Sequence, residues 1–370
     1  MTGARILLAS PIPSHPQDQG NSARIHGFGR MLQSAGFIVH FLYYEMEGLT
    51  AAQRVQMEAC WDHFHTVPAQ PRAQAGPGGN HPLDAWWDPA VAEAALALHQ
   101  RWHFHAVVTN YVWFSALLDA FGDDVLKVLD THDRFGGRAD TFVAQGLAPR
   151  WFSTTPAEEA TGLARADIVL AIQDEEAAYF RGLGLADVRV LGHALPLRKR
   201  PLRQPGGSPL VVGYLASGNA INVNTFETLR RSVAPAAGAM RFVVAGSICS
   251  KLPPGAAPFD VIGPIEDVDE FYDGVDLVVN PMTFGTGLKI KSVEALCQGM
   301  PLLATETAMI GLPARHPYHR FTSVEDLASC LGRIEGAALA GLAAAARTSG
   351  AEYAAGVRAA CRGLLASLRQ

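Results

Sequence analysis

The sequence predicts an α/β protein with two domains, each built on a parallel sheet covered by helices. Three observations carry this expectation. The chain has 370 residues, more than a single hydrophobic core usually organises. Its strand-like runs are continuous stretches of Val, Ile and Leu rather than alternations with polar residues, as parallel strands buried on both faces require. These runs alternate with helix-length stretches in two sets, on either side of a break at Pro196–Pro209. The break contains four prolines, two glycines and four basic residues without apolar periodicity, and reads as a linker.

In chain order, Arg5–Pro11 reads as a first buried strand. Gly20-Asn21-Ser22-Ala23-Arg24 opens a helix, and Ala35-Gly36-Phe37 turns the chain into a second strand at Ile38–Leu42. Pro68–Pro82, rich in proline, glycine, glutamine and asparagine, reads as a long loop. Val128–Asp133 reads as a strand with His132 at its end, and Ala166–Gln173 as a strand followed by a helix that starts at Glu175-Glu176. The second set opens with Val211–Tyr214, whose Gly213–Asn219 segment leads toward a helix. Strands follow at Arg241–Gly246 and Val261–Ile265. A buried run, Asp276–Pro281, then leads into a glycine loop, a helix, the turn Gly299-Met300-Pro301 and a further strand ending at Ile310-Gly311-Leu312-Pro313. Alanine-rich helices close the chain from Ala337. The expected division is 1–195, a linker at 196–209, 210–345, and a last helix at 346–370.

Composition removes several function classes. A net charge of −5 and a pI near 6.2 give no general case for nucleic acid. Cys60, Cys249, Cys297, Cys330 and Cys361 lack paired spacing, which argues against a disulfide framework and a zinc site. No segment has the signature of a signal peptide, and no apolar run reaches the ~18 residues of a spanning helix. A cytoplasmic protein is expected, with peripheral membrane contact left open. His63/His65 and His103/His105 are two His-x-His pairs, each sharing one face if on a strand; without a carboxylate or cysteine cluster beside them, no metal is expected.

The segment Phe284-Gly285-Thr286-Gly287-Leu288-Lys289-Ile290-Lys291-Ser292-Val293-Glu294 carries the most chemistry. A loop opening a helix presents unpaired backbone N–H groups and the positive end of the helix dipole, which together suit a phosphate. Glycines allow backbone to approach a ligand closely. Lys289 and Lys291 lie in this loop, and the chain has five lysines in all. Gly213 to Gly218 forms a second candidate phosphate loop, but no basic residue lies between Val211 and Arg230. The dinucleotide fingerprint Gly-x-Gly-x-x-Gly is absent after the first strand.

These motifs resemble the donor signature of the GT-B glycosyltransferases of the GT4 type (glycosyl transferase group 1). Glu294-Ala295-Leu296, Gly299-Met300-Pro301 and Gly311-Leu312 match its helix and turns. The family's common pattern has two glutamates separated by seven residues; Glu294 is the second, and Thr286 stands where the first would be. Gly285-Thr286-Gly287-Leu288-Lys289-Ile290-Lys291 fits the branch with Gly-Ser/Thr-Gly-x-Lys-x-Lys. The resemblance implies two Rossmann-like domains facing across a cleft. It implies a nucleotide-sugar donor on the C-terminal domain and a glycan, lipid-linked or small-molecule acceptor on the N-terminal one, as in polysaccharide biosynthesis. It also implies hexosyl or related transfer with retention, no required cofactor or metal, and a last helix that crosses back to the first domain. Donor contacts would fall on Gly213, Gly218, Gly263, Ile265, Gly285, Thr286, Gly287, Leu288, Lys289, Ile290, Lys291 and Glu294. Acceptor contacts would fall on Gly20, Asn21, Trp86 and Trp87, and catalytic roles on His132 and Asp133.

Blander readings stand beside these. Glu294 would bind ribose, or simply pair with Lys291 near a helix start. His132 would face a ligand, or be a histidine oriented by Asp130 and Asp133; either aspartate would be a candidate base. The six tryptophans all lie in the first half, either as core or as an acceptor surface, with Trp86-Trp87 as the exception to core packing. An epimerase on the same fold and a non-catalytic nucleotide- or glycan-binding protein are the rival functions.

Overall fold

The computed structural model describes residues 3–17, 19–71, 79–149, 151–202, 209–233, 240–253, 255–265 and 267–370. Parts of the expected linker (203–208) and of the polar loop (72–78) lie outside the described residues. Contacts divide the chain into two units. One comprises Met1–Ala194, Thr286–Leu288 and Val357–Gln370; the other comprises Leu195–Gly285 and Lys289–Gly356.

The first unit is built on strands β1 (Arg5–Ser10), β2 (Ile38–Tyr44), β3 (His63–Val67), β4 (Ala106–Asn110), β5 (Leu126–Asp130), β6 (Ile168–Ala171) and β7 (Val188–Val190). They form one parallel sheet in the order β3-β2-β1-β4-β5-β6-β7. Helices α1 (Gly20–Ser34), α2 (Ala51–Cys60), α3 (Pro89–Trp102), α4 (Arg138–Ala144), α5 (Pro156–Leu163) and α6 (Asp174–Gly182) make the crossovers. Their starts are written in the sequence: Thr50 and Gln53 form a capping box on α2, and Asp88 and Thr155 cap α3 and α5 ahead of a first-turn proline.

The second unit holds β8 (Leu210–Leu215), β9 (Met240–Ala245), β10 (Phe259–Gly263), β11 (Leu277–Asn280) and β12 (Leu302–Ala304), parallel in the order β10-β9-β8-β11-β12. Its helices are α7 (Ala220–Val233), α8 (Val268–Gly274), α9 (Ile290–Gln298), α10 (Val324–Leu331) and most of α11 (Gly336–Ser367). Side chains of β8 alternate between two cores, Val212 and Tyr214 on one face and Val211 and Leu215 on the other.

In each sheet the strand order reverses once, between β1 and β4 and between β8 and β11. Ligands of open parallel sheets bind beyond the strand C-termini at such a reversal. The loops that follow β1, β4, β8 and β11 are therefore the ones on which a site is expected.

The chain end differs from the sequence reading. Instead of several helices, Gly336–Ser367 is a single helix of 32 residues. Its alanines favour the helix strongly enough to carry four interior glycines. One of them, Gly350, lets α11 press against α9, since a Cβ there would lie 2.4 Å from the Leu296 carbonyl oxygen. Among the described residues, no helix is long and apolar enough to cross a membrane.

Candidate functional site

In the first unit the polar groups converge beyond β5. Asp130 ends that strand and is fully buried. Both of its carboxylate oxygens accept from the Arg24 guanidinium of α1, at 2.9 Å and 3.1 Å from Nε and at 2.6 Å from Nη2. Asp130 is thus committed to a buried, two-pronged ion pair with α1. Asp133 takes part in an ion pair with Arg138 at 2.6 Å, and its other oxygen accepts from the Arg134 N–H.

His132 sits between the two aspartates in the left-handed region, at φ 60°. Tyr111, after β4, is also left-handed at φ 71°, and the two rings stack at 4.3 Å. Non-glycine residues held there cost ~1–3 kcal/mol each and persist only where surroundings over-determine them. Glu159 of α5 holds the turn that follows His132 in the chain. It is fully buried, and its two oxygens accept from the backbone N–H groups of Phe135 at 2.6 Å and Gly136 at 2.9 Å. Tyr179 donates to Glu159 at 2.9 Å while its ring lies 3.9 Å from the Arg134 guanidinium. Burial pushes the Glu159 carboxyl upward, against these hydrogen bonds.

Burial lowers the His132 pKa to about 4; Arg24 lowers it too, and Asp130 opposes the shift. The imidazole is therefore neutral at pH 7. Its pKa in the unfolded chain is ~6.5, so between pH ~6.5 and ~4 the unfolded chain binds the extra proton. The resulting stability is fully present above that window and is lost as pH falls through it. Unfolding free energies from urea titrations at pH 7 and pH 5 should differ less in His132→Asn than in the wild type, by as much as ~1.4 kcal/mol per pH unit. An identical pH dependence in the two proteins would mean that His132 is not held neutral by burial.

The expected acceptor-side residues are partly corrected. Gly20 begins α1, and Asn21 accepts from the Ser22 N–H at 2.9 Å. Trp86 is a core residue at 8% exposure, edge-on to Trp113, Trp151 and Phe152, so it does not offer an open face. Its apolar neighbours come from distant chain segments, which adjacency to the polar loop does not reveal. Trp87 is half-buried against Phe114. The His-x-His pairs also differ: His63 and His65 share a face of β3, but His103 is the left-handed cap of α3 and His105 precedes β4.

β11, the glycine loop, α9 and β12 follow in the order the sequence predicts, with Thr286–Leu288 of the loop grouped with the first unit and the rest with the second. Gly285 and Gly287 take φ 108° and 76°, values that favour glycine. Lys289 precedes the first turn of α9 rather than lying in the helix. It is buried at 6% exposure, and its Nζ donates to the Gly285 carbonyl at 2.9 Å. The first turn of α9 contains no acidic residue, and Lys289 makes no side-chain cap. Buried Asn280, at the end of β11, donates to Ser292 Oγ at 2.7 Å and fixes the helix start. Lys291 contacts both Glu294 oxygens at 3.1 Å and 2.9 Å, and Tyr272 donates to the same carboxylate at 3.4 Å. Leu288 is buried, and Thr286 and Ile290 are half-buried.

The second loop is corrected in one place. Gly213 lies inside β8, and a Cβ there would meet Phe271 at 2.6 Å, so this glycine serves packing. Gly218 does lie in the loop, where its N–H donates to Ser247 Oγ at 3.2 Å. A Cβ on Gly218 would also stand 2.9 Å from Cγ of Lys251. Lys251, from the turn after β9, therefore lies beside this loop. Gly246, at φ 98°, allows that turn to touch the loop, since a Cβ there would lie 2.3 Å from the Ala216 carbonyl oxygen. Gly263, at φ 110° with open space around it, ends β10, and Ile265 packs against the core that includes Leu215.

Residues 210–330 match the family model described as Glycosyl transferases group 1. No curated protein matches the chain in sequence. Among solved structures, a glycosyltransferase from Rickettsia africae superposes with a TM-score of 0.67 at 12% identity, covering 100% of this chain and 98% of the other. Anabaena HepE in complex with UDP and glucose gives 0.64 at 14% identity, covering 99% of each chain. Sucrose-phosphate synthase from Thermosynechococcus elongatus gives 0.64 at 17% identity, covering 99% of this chain and 98% of that one. The fold is GT-B, with two parallel-sheet units as the sequence predicts.

Proposed function

We propose that the protein is a glycosyltransferase of the GT4 type, in the Gly-Thr-Gly-x-Lys-x-Lys branch. It would transfer a hexosyl or related group from a nucleotide sugar to a hydroxyl acceptor, with retention and without a required metal. The family match over residues 210–330 and the fold shared with HepE, which was solved with UDP and glucose, support this reading. The single observation that carries it is the start of α9. There a loop with two left-handed glycines meets a helix N-terminus with no acidic residue in its first turn, flanked by Lys289 and Lys291. Such a place attracts a diphosphate by backbone N–H groups, helix dipole and lysine charge together.

In this reading Gly285–Lys291 hold the diphosphate, Gly218 and Lys251 contribute from the neighbouring loop, and Glu294 accepts from ribose hydroxyls. Preorganised donors of this kind stabilise a departing diphosphate without a metal. Neutral His132 and Asp133 serve the reacting sugar, and Gly20, Asn21 and Trp87 the acceptor, a glycan, lipid-linked group or small molecule. The setting is the cytoplasm, with peripheral membrane contact if the acceptor is lipid-linked.

The test is a thermal-shift panel of nucleosides, nucleoside diphosphates and nucleotide sugars. A cognate nucleotide at 100 times its Kd should add ~2.7 kcal/mol of stability. A panel in which no nucleotide raises Tm would refute the reading.

A further inference from the structure

We propose that His15, His26 and Cys60 form a binding site for a zinc-class divalent cation, tying the segment after β1 and helix α1 to the end of α2. The sequence reading excluded zinc because the cysteines lack paired spacing. The fold instead gathers ligands from three elements: His15 from the β1–α1 connection, His26 from α1, and Cys60 as the last residue of α2. One ligand atom from each lies within 4.8 Å of the others, and all three residues are half-buried.

The surroundings match what zinc ligands need. Ser14 Oγ lies 3.0 Å from His15 Nδ1 and accepts from Trp61 Nε1–H at 3.1 Å. With Nδ1 engaged, Nε2 is the His15 nitrogen left for a metal, and the Ser14–Trp61 pair acts as the outer-shell partner that fixes a ligating ring. The His15 and His26 rings meet edge to face at 5.1 Å, and His26 packs on Trp61 at 6.1 Å. Binding would replace the Cys60 S–H bond by a metal–thiolate bond and release that proton to solvent. Two imidazoles and a thiolate select zinc-class ions over magnesium or calcium, and leave a fourth position for water. The histidine group at His40 is built differently: its ring stacks on His63 at 4.1 Å, and its Nδ1 is engaged with His65 Nε2 at 3.2 Å.

The test uses the full chain stripped with a chelator and titrated with Zn²⁺ in a calorimeter. A single Zn²⁺ should bind per chain with release of a proton, and should raise Tm. Cys60→Ser and His26→Asn should each weaken binding more than ~100-fold, beyond the ~10–100-fold cost of outer-shell changes. His63→Asn should bind like the wild type. In the wild type itself, Zn²⁺ should protect Cys60 from alkylation, read by peptide mass spectrometry, and leave Cys249 and Cys361 unprotected. Absence of binding, unprotected Cys60, or binding lost in His63→Asn but kept in Cys60→Ser would each overturn the proposal.

Discussion

Arg24→Met should cost about 3–5 kcal/mol of folding stability, the cost of breaking a buried ion pair from one side. The partners are 3% and 0% exposed, so water cannot take the place of the guanidinium around Asp130. Exposed pairs are typically worth ~0–1 kcal/mol, and burial is what separates the two cases. The pair joins α1 to the end of β5 across 106 residues of sequence. Removing both partners should be far milder: Arg24→Met/Asp130→Leu replaces the pair by apolar side chains and should recover most of the loss. Asp130 Oδ2 also lies 3.4 Å from His132 Nε2. The double variant should therefore regain stability without regaining full turnover. Urea unfolding of the three proteins checks this. A loss below ~1 kcal/mol in the single variant would place the pair with exposed ones.

Lys289→Met should weaken binding of a nucleoside diphosphate by roughly 10- to 150-fold, the worth of a lost charge-assisted hydrogen bond of ~1.5–3 kcal/mol. Lys291→Ala should cost less. Lys291 is already paired with Glu294, whereas Lys289 is buried and anchors the loop through Gly285. The inequality arises because Lys289 stands before the helix and Lys291 within it. Neither change should much affect the bare nucleoside. Glu294→Ala should weaken nucleoside and nucleoside diphosphate alike, because its proposed partner is the ribose. Calorimetric titration of both ligands reads all of these, with Tm as the check on folding. Wild-type diphosphate affinity in Lys289→Met would remove the phosphate role of the loop, and intact nucleoside affinity in Glu294→Ala would remove the ribose role.

What was legible in the sequence is what depends on neighbours in the chain. The Asp276–Pro313 stretch announces strand, glycine loop, helix and turn through apolar runs and glycines, and β11, α9, Gly299 and β12 follow in that order. The Lys291–Glu294 pair is likewise a local, i to i+3 feature. Features set by strand order were not legible. Glu159 reaches Phe135 from 24 residues away, Lys251 reaches Gly218 from the turn after β9, and Cys60 approaches His15 only once α2 is packed. Gly213 was misplaced for a related reason. A glycine at a strand end looks like a loop residue until Phe271 of α8 is seen against it.

The most direct measurement is the time course of nucleoside diphosphate release from the nucleotide sugar that stabilises the protein, with candidate acceptors present or absent. The account predicts many turnovers per chain, acceptor-dependent rates, and one glycosylated acceptor for each diphosphate released, all strongly reduced in Lys289→Met. Stoichiometric binding without release, or a donor epimer without acceptor glycosylation, would contradict it.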